Sequence, residues 1–403
     1  MTDTVMAVIV PDGAADHPVA EYGGKTPFEQ ADTPCLDALA RRGVCGLVKT
    51  VPEGMFPESD TANLSILGYD PAVYSKGRAP LEAVSMGLEM RPSDTAFRCN
   101  LITLTPGGAF GQKVMSDHSA GGIDSADSHQ LLAYLHKHLG SEAVRFHGGV
   151  SYRHCVLWGD CPPYGGFARP HDILGKPVGE YLPDETEYAD LMERAHELLA
   201  AHPLNARRRE QGLPEANGIW LWSPGGKPLL PSFEQKYGMS GAAVAAVDLI
   251  KGIALCAGLE APAVPGATGD CRTDYAAKGR AAVEAFEGGA RFVFVHIEAP
   301  DEAGHAGDAE QKTLSLARID ARITRPICEY LDETHADYTV LVLPDHPTPL
   351  RLRTHTGDPV PYLLYRKGAE TQGPAAYCER AAHEGNGPYI PRGHELLDYA
   401  LRR

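Results

Sequence analysis

The sequence predicts an α/β protein whose core is formed by both ends of the chain, with an α+β cap domain inserted between them. Short apolar segments near the N-terminus and in the C-terminal half alternate with helical segments, which is the pattern of a sheet covered by helices. The middle of the chain has a different pattern, with strand-like segments and Gly- and Pro-rich passages. We therefore assign residues 1–92 and 231–403 to the core domain and residues 93–230 to the inserted domain.

The first elements follow from turn and cap residues. An apolar run over 5–10 predicts a buried strand, which Pro11 and Gly13 end. A helix is predicted over 35–42, because Pro34 suits a first helical turn and Gly43 is a stop signal. A second helix is predicted over 59–67.

The remaining elements are predicted from hydrophobic periodicity. In the inserted domain we predict strands over 97–105, 144–146 and 154–158, helices over 128–139 and 185–202, and a polar surface connection over 207–212. In the C-terminal part we predict helices over 242–256, 275–286 and 309–330, and strands over 291–297, 339–343 and 360–365.

Composition restricts the class of partner. The chain has 403 residues with 37 Lys and Arg and 53 Asp and Glu, which gives a formal net charge of −16. This balance argues against nucleic acid or an anionic membrane surface as the main partner. Nine Cys without a CxxC pair, and a start without a signal peptide, predict reduced thiols and a cytoplasmic protein, as a monomer or small homo-oligomer. No apolar run reaches the roughly 18 residues of a membrane span.

Acidic and histidine residues follow the predicted strands of the core. They are Asp12, Asp301, His305, Asp345, His346 and His355. Ligands collect beyond the carboxyl ends of strands in open α/β sheets, and Asp with His suits divalent cations. Asp301 and His305 would share one face of a helix. Taken singly, each is explained as well by structure, since an Asp after a strand is most often a turn or cap residue; together they predict a metal site.

Short motifs spread over nearly the whole chain carry a family resemblance. They are VPDG (10–13), SDTANLSILGYDP (59–71), GRAPLEA (77–83), GVSYR (149–153), VDLIKG (247–252), HIEAPDEAGH (296–305), LPDH (343–346) and HTGDPVP (355–361). In this order they resemble the cofactor-independent phosphoglycerate mutases of the archaeal type, within the alkaline phosphatase superfamily. The resemblance implies an alkaline-phosphatase-like three-layer core with the inserted cap domain.

The resemblance also implies two divalent metal ions per chain. One would be held by Asp12, Ser59, Asp345 and His346. The other would be held by Asp301, His305 and His355. We expect Mn²⁺, although Zn²⁺, Co²⁺ and Mg²⁺ are compatible with this set of Asp, His and Ser ligands.

Ser59 is implied as the nucleophile of an isomerase that interconverts 3-phosphoglycerate and 2-phosphoglycerate through phosphoserine. A serine hydroxyl is a weak nucleophile at neutral pH, and no Ser-His-Asp arrangement is evident around it. A metal ligated by its oxygen would lower the hydroxyl pKa. The start of the predicted helix would also favour a phosphate group. The alternative for Ser59 is a helix N-cap without chemistry.

Basic residues are needed to hold the substrate carboxylate and to retain glycerate. By resemblance these are Arg153 and Lys251, and Lys251 would also act on the serine oxygen. His118 is a candidate for proton transfer to glycerate oxygens. Further candidates are Arg78, Arg169, His171 and Asp172. The alternative explanation for each of these basic side chains is that it is a solvated charge on the surface.

Three departures from the expected pattern lie near the substrate. Glu58 stands where relatives are expected to have Gly, Gly122 stands where a larger basic side chain is expected, and residues 222–225 also differ. Two other functions therefore stay open at the level of sequence. One is another phosphoryl- or phosphonyl-handling enzyme, such as a phosphatase, a phosphonate-processing enzyme or a phosphotransferase. The other is a metal-stabilised binding protein without catalysis.

Overall fold

A computed structural model describes residues 4–402, and within them the chain separates into two compact units. The core unit consists of the chain up to Ser75 together with the chain from Leu229 onward, and the inserted unit is Lys76–Pro228. Both ends of the chain thus form one core, as the sequence predicts.

The described residues contain eleven strands, numbered in chain order. They are β1 (Val5–Pro11), β2 (Val44–Val48), β3 (Asp94–Leu104), β4 (Met115–Asp117), β5 (Val144–His147), β6 (Arg153–Gly159), β7 (Gly218–Gly226), β8 (Gly241–Val244), β9 (Phe292–Ile297), β10 (Tyr338–Val342) and β11 (Val360–Arg366).

Sixteen α-helices lie between residues 4 and 402. They are α1 (Pro27–Gln30), α2 (Pro34–Arg42), α3 (Ser59–Ile66), α4 (Pro71–Tyr74), α5 (Ala79–Ser85), α6 (Ser125–Leu139), α7 (Thr186–Ala200), α8 (Pro203–Glu210), α9 (Phe233–Tyr237), α10 (Asp248–Cys256), α11 (Tyr275–Glu287), α12 (Ala299–Ala306), α13 (Ala309–Ile319), α14 (Arg325–Thr334), α15 (Glu379–His383) and α16 (Leu396–Leu401). None of them combines the length and the hydropathy needed to cross a membrane.

The core unit is built on a six-stranded sheet in the order β2-β11-β10-β1-β9-β8. The four strands β10, β1, β9 and β8 run parallel, and β11 is antiparallel to both of its neighbours. Every residue of β1 is buried, which is characteristic of a parallel sheet with both faces covered.

Helices cover the two faces of this sheet. On one face, Val5, Ala7 and Ile9 of β1 form a buried cluster with apolar residues of α2, α11, α13 and α14. Because side chains alternate along a strand, Met6 and Val8 point to the opposite face, where they are fully buried as well. Burying an aliphatic side chain contributes about 1.5–3 kcal/mol, so this two-sided burial stabilises the predicted three-layer core. The α/β class is confirmed.

The inserted unit has an antiparallel sheet around the long strand β3. This strand pairs with β4, β6 and β7, and β5 pairs with β6. Apolar residues of α6 and α7 pack against the sheet in a second buried cluster. In addition, Ala79 and Ala83 of α5 pack against Ala96 of β3. For this reason the transition between the units comes before α5, earlier than the residue 92 expected from the sequence.

Three local predictions differ from the structure. The segment predicted as one helix over 242–256 is strand β8 followed by α10. The small apolar residues of β8 lie beside β9, so pairing in the sheet overrides their helical propensity. The long helix over 309–330 is interrupted by a π-helical turn, Asp320–Thr324.

The polar connection predicted over 207–212 is wrong, because most of it belongs to α8. Arg208 is buried there, and its guanidinium donates hydrogen bonds to the carbonyl oxygens of Pro214 and Ala120. Strands β2, β4 and β7 are additional to the predicted elements.

Candidate metal centre and nucleophile

The residues that follow β1, β9 and β10 meet at one edge of the core sheet, because the carboxyl ends of these parallel strands lie side by side. Single ligand atoms of Asp12, Asp345 and His346 all lie within 4.8 Å of one another. The same holds for Asp301, His346 and His355. With Ser59 we call Asp12, Asp345 and His346 the first ligand group.

The second ligand group is Asp301, His305 and His355. His305 Nε2 lies 3.2 Å from Asp301 Oδ2 and 2.9 Å from His355 Nε2. Asp301 and His305 stand one turn apart on α12, so the predicted helical spacing is confirmed. The structure thus brings all seven predicted ligands together, with His346 between the two groups.

The turn after β1 brings Asp12 close to the other ligands. Gly13 has a left-handed conformation with φ of +61°, and its N–H donates to Asp345 Oδ1 at 3.1 Å. A Cβ at this position would collide with the Asp301 carboxylate and the Thr348 hydroxyl. Glycine is therefore required here both by the backbone conformation and by the close approach.

The histidines of the second ligand group are oriented by backbone carbonyls. His305 Nδ1 lies 3.0 Å from the carbonyl oxygen of Arg353, and His355 Nδ1 lies 2.7 Å from that of Pro57. Because a carbonyl can only accept, these contacts place the proton on Nδ1. They leave the Nε2 atoms to face Asp301, which is the arrangement of metal-ligating imidazoles.

Among the ligand carboxylates of the described residues, Asp12 has an oxygen that lacks a hydrogen-bond donor. Burial, together with Asp345 and Asp301, raises the pKa of Asp12 well above its usual value. Asp12 Oδ1 is buried and has no hydrogen-bond partner among the described residues. A buried carboxylate oxygen without a donor is costly, and a divalent cation would supply what is missing. The donor set therefore fits divalent metals.

Protons compete with a metal ion for the side chains of the second ligand group. The hydrogen bond with Asp301 raises the pKa of His305 to about 9. Burial opposes ionisation of Asp301, but its contacts with His305 and His355 hold its pKa well below the usual value. A cation binding here would displace these protons.

Ser59 faces the first ligand group. Its Oγ lies 3.3 Å from His346 Nε2. Asn63, one turn further along α3, donates to the Ser59 carbonyl oxygen at 2.8 Å and to Asp345 Oδ2 at 2.9 Å. The N-cap of α3 is Glu58, so the interpretation of Ser59 as a helix cap is wrong.

His346 and Ser59 do not form a catalytic triad. The Nε2 atom that approaches Ser59 also lies 3.6 Å from Asp12 Oδ1 and 3.6 Å from Asp345 Oδ2. The other ring nitrogen is 3.4 Å from the Thr348 hydroxyl. In a Ser-His-Asp triad the carboxylate holds the ring nitrogen that does not face the serine. The geometry is that of ligands converging on a common point.

Two substrate-binding candidates of the inserted unit, Arg153 and His118, lie beside the ring of Tyr152. The Arg153 guanidinium lies 5.9 Å from the ring centre of Tyr152, and the His118 ring is also 5.9 Å from it. The His118 ring lies 6.2 Å from that of His171, and His171 Nε2 lies 3.5 Å from Asp172 Oδ1. These contacts make one cluster of basic and aromatic side chains.

The other candidates lie elsewhere. Lys251 is on α10 of the core unit, which packs against α3. Arg169 precedes a short helix at Pro170. At Gly122, φ is +66° and a Cβ would meet no atom within 4 Å, so a larger residue here would be opposed by the left-handed backbone conformation rather than by a collision of its Cβ.

Sequence reasoning missed Arg98, whose side chain is largely buried. It stacks on Trp222 at 3.9 Å and pairs with Glu82 at 2.9 Å. Burial lowers the pKa of Arg98, and the positive charges of Arg78 and Arg153 lower it further. The available signal was an arginine inside the apolar strand β3.

Comparison with known proteins identifies chains similar to this one over nearly its whole length. The family model described as 2,3-bisphosphoglycerate-independent phosphoglycerate mutase matches residues 40–205. The mutase of that name from Methanosarcina acetivorans is 44% identical and covers 98% of this chain and 99% of its own length. The mutase from Methanothrix thermoacetophila is 45% identical, with 97% of both chains covered.

The chain belongs to the 2,3-bisphosphoglycerate-independent phosphoglycerate mutases. These mutases are isomerases, as expected from the sequence motifs. The cofactor-independent mutase from Thermoplasma acidophilum has a similar fold, with a TM-score of 0.69, 27% identity and 99% coverage of both chains. A solved structure from Pyrococcus horikoshii matches with a TM-score of 0.80, 30% identity, and coverage of 100% of this chain and 97% of that one.

Proposed function

We propose that this chain interconverts 3-phosphoglycerate and 2-phosphoglycerate, with Ser59 as the nucleophile beside two divalent metal ions. One observation carries the proposal: Ser59 Oγ lies 3.3 Å from His346 Nε2, the atom that also faces both carboxylates of the first ligand group.

The reaction consists of two phosphoryl transfers. When bound, the cations lower the pKa of the serine hydroxyl and offset the charge of the phosphoryl oxygens. The Ser59 hydroxyl loses its proton as Oγ attacks phosphorus, the bond from phosphorus to the C3 oxygen breaks, and that oxygen takes up a proton. The 2-hydroxyl of glycerate then loses its proton and attacks phosphoserine, the bond from phosphorus to Ser59 Oγ breaks, and Oγ regains a proton. His118 is the proposed proton carrier for the glycerate oxygens.

Glycerate must stay bound between the two transfers. Arg153 is the proposed partner of its carboxylate, since a guanidinium can form two parallel hydrogen bonds with a carboxylate. Arg98 and Arg78 add positive charge to the same cluster. Lys251 is proposed to act on the serine oxygen, because α10 packs against the helix that begins with Ser59.

We also propose the identity of the metal ions, the compartment and the oligomeric state. We expect Mn²⁺ in both sites, with Zn²⁺ or Co²⁺ as substitutes, because three histidines among the ligands disfavour Mg²⁺. The nine cysteines are free thiols in the structure, which suits a cytoplasmic enzyme. A monomer or small homo-oligomer is the proposed assembly.

Phosphorus NMR of samples quenched with a chelator tests the proposed reaction. Metal-loaded protein with 3-phosphoglycerate should yield 2-phosphoglycerate without free phosphate. Ser59→Ala should lose at least about a thousandfold in kcat. Its circular dichroism spectrum and its unfolding transition should be unchanged. Release of phosphate without isomerisation would show a phosphatase instead.

A further inference from the structure

Two buried lysine–carboxylate pairs lie behind the metal centre and have no part in the proposed reaction. Lys278 Nζ is 2.6 Å from Glu298 Oε2, and Lys312 Nζ is 2.7 Å from Asp16 Oδ2. Both lysines are completely buried. Replacing a buried ion pair with apolar residues is often neutral or stabilising, so stability alone is a weak explanation for these pairs. Their other contacts point to a different role.

The first pair leads to the first ligand group. Lys278 also donates to the carbonyl oxygen of His296 at 2.8 Å, and Glu298 Oε1 lies 3.4 Å from His296 Nδ1. The opposite ring nitrogen of His296 lies 3.5 Å from Asp12 Oδ2 and 3.8 Å from Asp345 Oδ2. Lys278, Glu298 and His296 thus form a buried series of close contacts that ends at two carboxylates of that group, although the His296 ring nitrogens make no hydrogen bond among the described residues.

The second pair leads to the second ligand group. Lys312 also donates to the carbonyl oxygen of Thr348 at 2.8 Å, and Asp16 Oδ2 accepts the N–H of Leu350 at 3.1 Å. Together they hold the backbone on both sides of residue 349. The Thr348 side chain then donates its hydroxyl hydrogen to Asp301 Oδ1.

We propose that each pair positions the ligands of one metal site: Lys278–Glu298 through His296, and Lys312–Asp16 through Thr348. The inference rests on the proposed two-metal centre and is independent of which substrate is isomerised. Residues behind a metal ligand fix the orientation of its side chain, and their loss commonly weakens metal affinity by 10- to 100-fold. Lys278, Glu298, Lys312 and Asp16 are therefore positioning residues.

Mn²⁺ titration of the metal-free protein tests the assignment. Asp345→Asn removes one ligand of the first group, and His305→Ala removes one ligand of the second group. The binding event that each variant weakens identifies the site to which it belongs. Glu298→Gln and Asp16→Asn then remove one charge from each pair with almost no change of shape.

Glu298→Gln should weaken Mn²⁺ binding at the first ligand group by about tenfold or more, and change binding at the second by less than about twofold. Asp16→Asn should show the reverse preference. A loss of up to about threefold at the first group is expected as well, because Thr348 also approaches His346. Lys278→Gln and Lys312→Gln should reproduce the two patterns, and they replace the carboxylate variants if those do not fold.

Asp94→Asn is the matched control. Asp94 is buried in the inserted unit and pairs with the partly buried Arg145 at 2.5 Å, so its substitution also breaks an ion pair with a buried carboxylate. It should lower the free energy of unfolding without changing Mn²⁺ affinity at either site. Equal weakening at both sites by Glu298→Gln and Asp16→Asn, or no weakening, would overturn the inference.

The outcomes also separate this inference from the proposed function. Wild-type protein that binds two Mn²⁺ but does not isomerise 3-phosphoglycerate would contradict the function alone, and the titrations would still decide the inference. Wild-type protein without Mn²⁺ binding at these groups would overturn both.

Discussion

Gly13 shows at the scale of a single residue how closely the ligands are fitted together. Gly13→Ala should weaken metal binding by at least about tenfold, because the new methyl group displaces the Asp301 carboxylate or the Thr348 hydroxyl. It should also lower the free energy of unfolding, since a left-handed conformation costs a non-glycine residue about 1–2 kcal/mol. Mn²⁺ titration and urea unfolding measure the two effects.

Gly23→Ala separates the effect of left-handed backbone strain from the effect of a Cβ that collides with Asp301. Gly23 has a similar φ of +65°, but a Cβ there would meet no atom within 4 Å. The same cost in unfolding free energy is expected, with unchanged metal affinity. If Gly23→Ala weakened Mn²⁺ binding as much as Gly13→Ala, the close approach to Asp301 would not be the cause.

His154 makes the inserted unit sensitive to acid. Burial lowers the pKa of its ring to about 3, and Nδ1 accepts the N–H of Gly149 at 3.0 Å. An unfolded histidine titrates near pH 6.5, so the stabilisation by the neutral ring is complete above about pH 6.5. It is lost as the pH falls, by about 1.4 kcal/mol per pH unit, until about pH 3.

The measurement compares unfolding free energies of the wild type and His154→Gln between pH 7 and pH 4. The three tryptophans of the chain are Trp158, Trp220 and Trp222, so their fluorescence reports on the inserted unit. The variant should show a shallower loss of stability with falling pH. Parallel curves for the two proteins would assign the acid sensitivity to other groups.

At the scale of elements, the π-helical turn between α13 and α14 explains how the start of α2 is held. The turn begins at Asp320, which is fully buried and accepts the backbone N–H groups of Leu36 at 2.7 Å and Cys35 at 3.2 Å. A helix start leaves such N–H groups without partners inside the helix. Asp320 therefore acts as a cap supplied from another element.

Asp320→Ala should lower the free energy of unfolding of the core unit by about 2–3 kcal/mol, because two buried N–H groups lose a charged acceptor. Urea unfolding followed by circular dichroism measures this loss. Metal affinity should be unchanged, and Asp320→Asn should recover part of the stability. An unchanged midpoint of urea unfolding in Asp320→Ala would mean that other groups accept hydrogen bonds from the first N–H groups of α2.

The sequence predicts those elements and residues whose reason is local. The spacing of Asp301 and His305 requires only one helical turn, and the apolar run of β1 requires only burial. Strand β8 was missed because its small residues carry no local sign of sheet pairing. Likewise, the position of Arg98 depends on its distant partner Trp222, and Lys312 pairs with Asp16, which lies far away in the chain. Long-range packing explains both kinds of omission.

For the whole molecule, metal removal should affect the two units unequally. The ligands belong to the core unit, and a cation at 100 times its Kd stabilises the folded state by about 2.7 kcal/mol. A chelator should therefore speed amide hydrogen exchange in β1, β9 and β10. Exchange in β3, and the tryptophan-monitored transition, should be unchanged. Excess Mn²⁺ should restore the protection, and equal deprotection of β3 would contradict separate stabilisation.

The central place of β1 has a consequence for synthesis on the ribosome. This strand precedes the inserted unit in the chain, whereas its partners β9 and β10 are translated only after the whole inserted unit. The strands of the inserted unit pair among themselves, so that unit can complete its sheet while β1 still waits for a neighbour. The apolar strand β1 therefore stays without its sheet partners for that time, and the metal centre cannot assemble before His355 has been made.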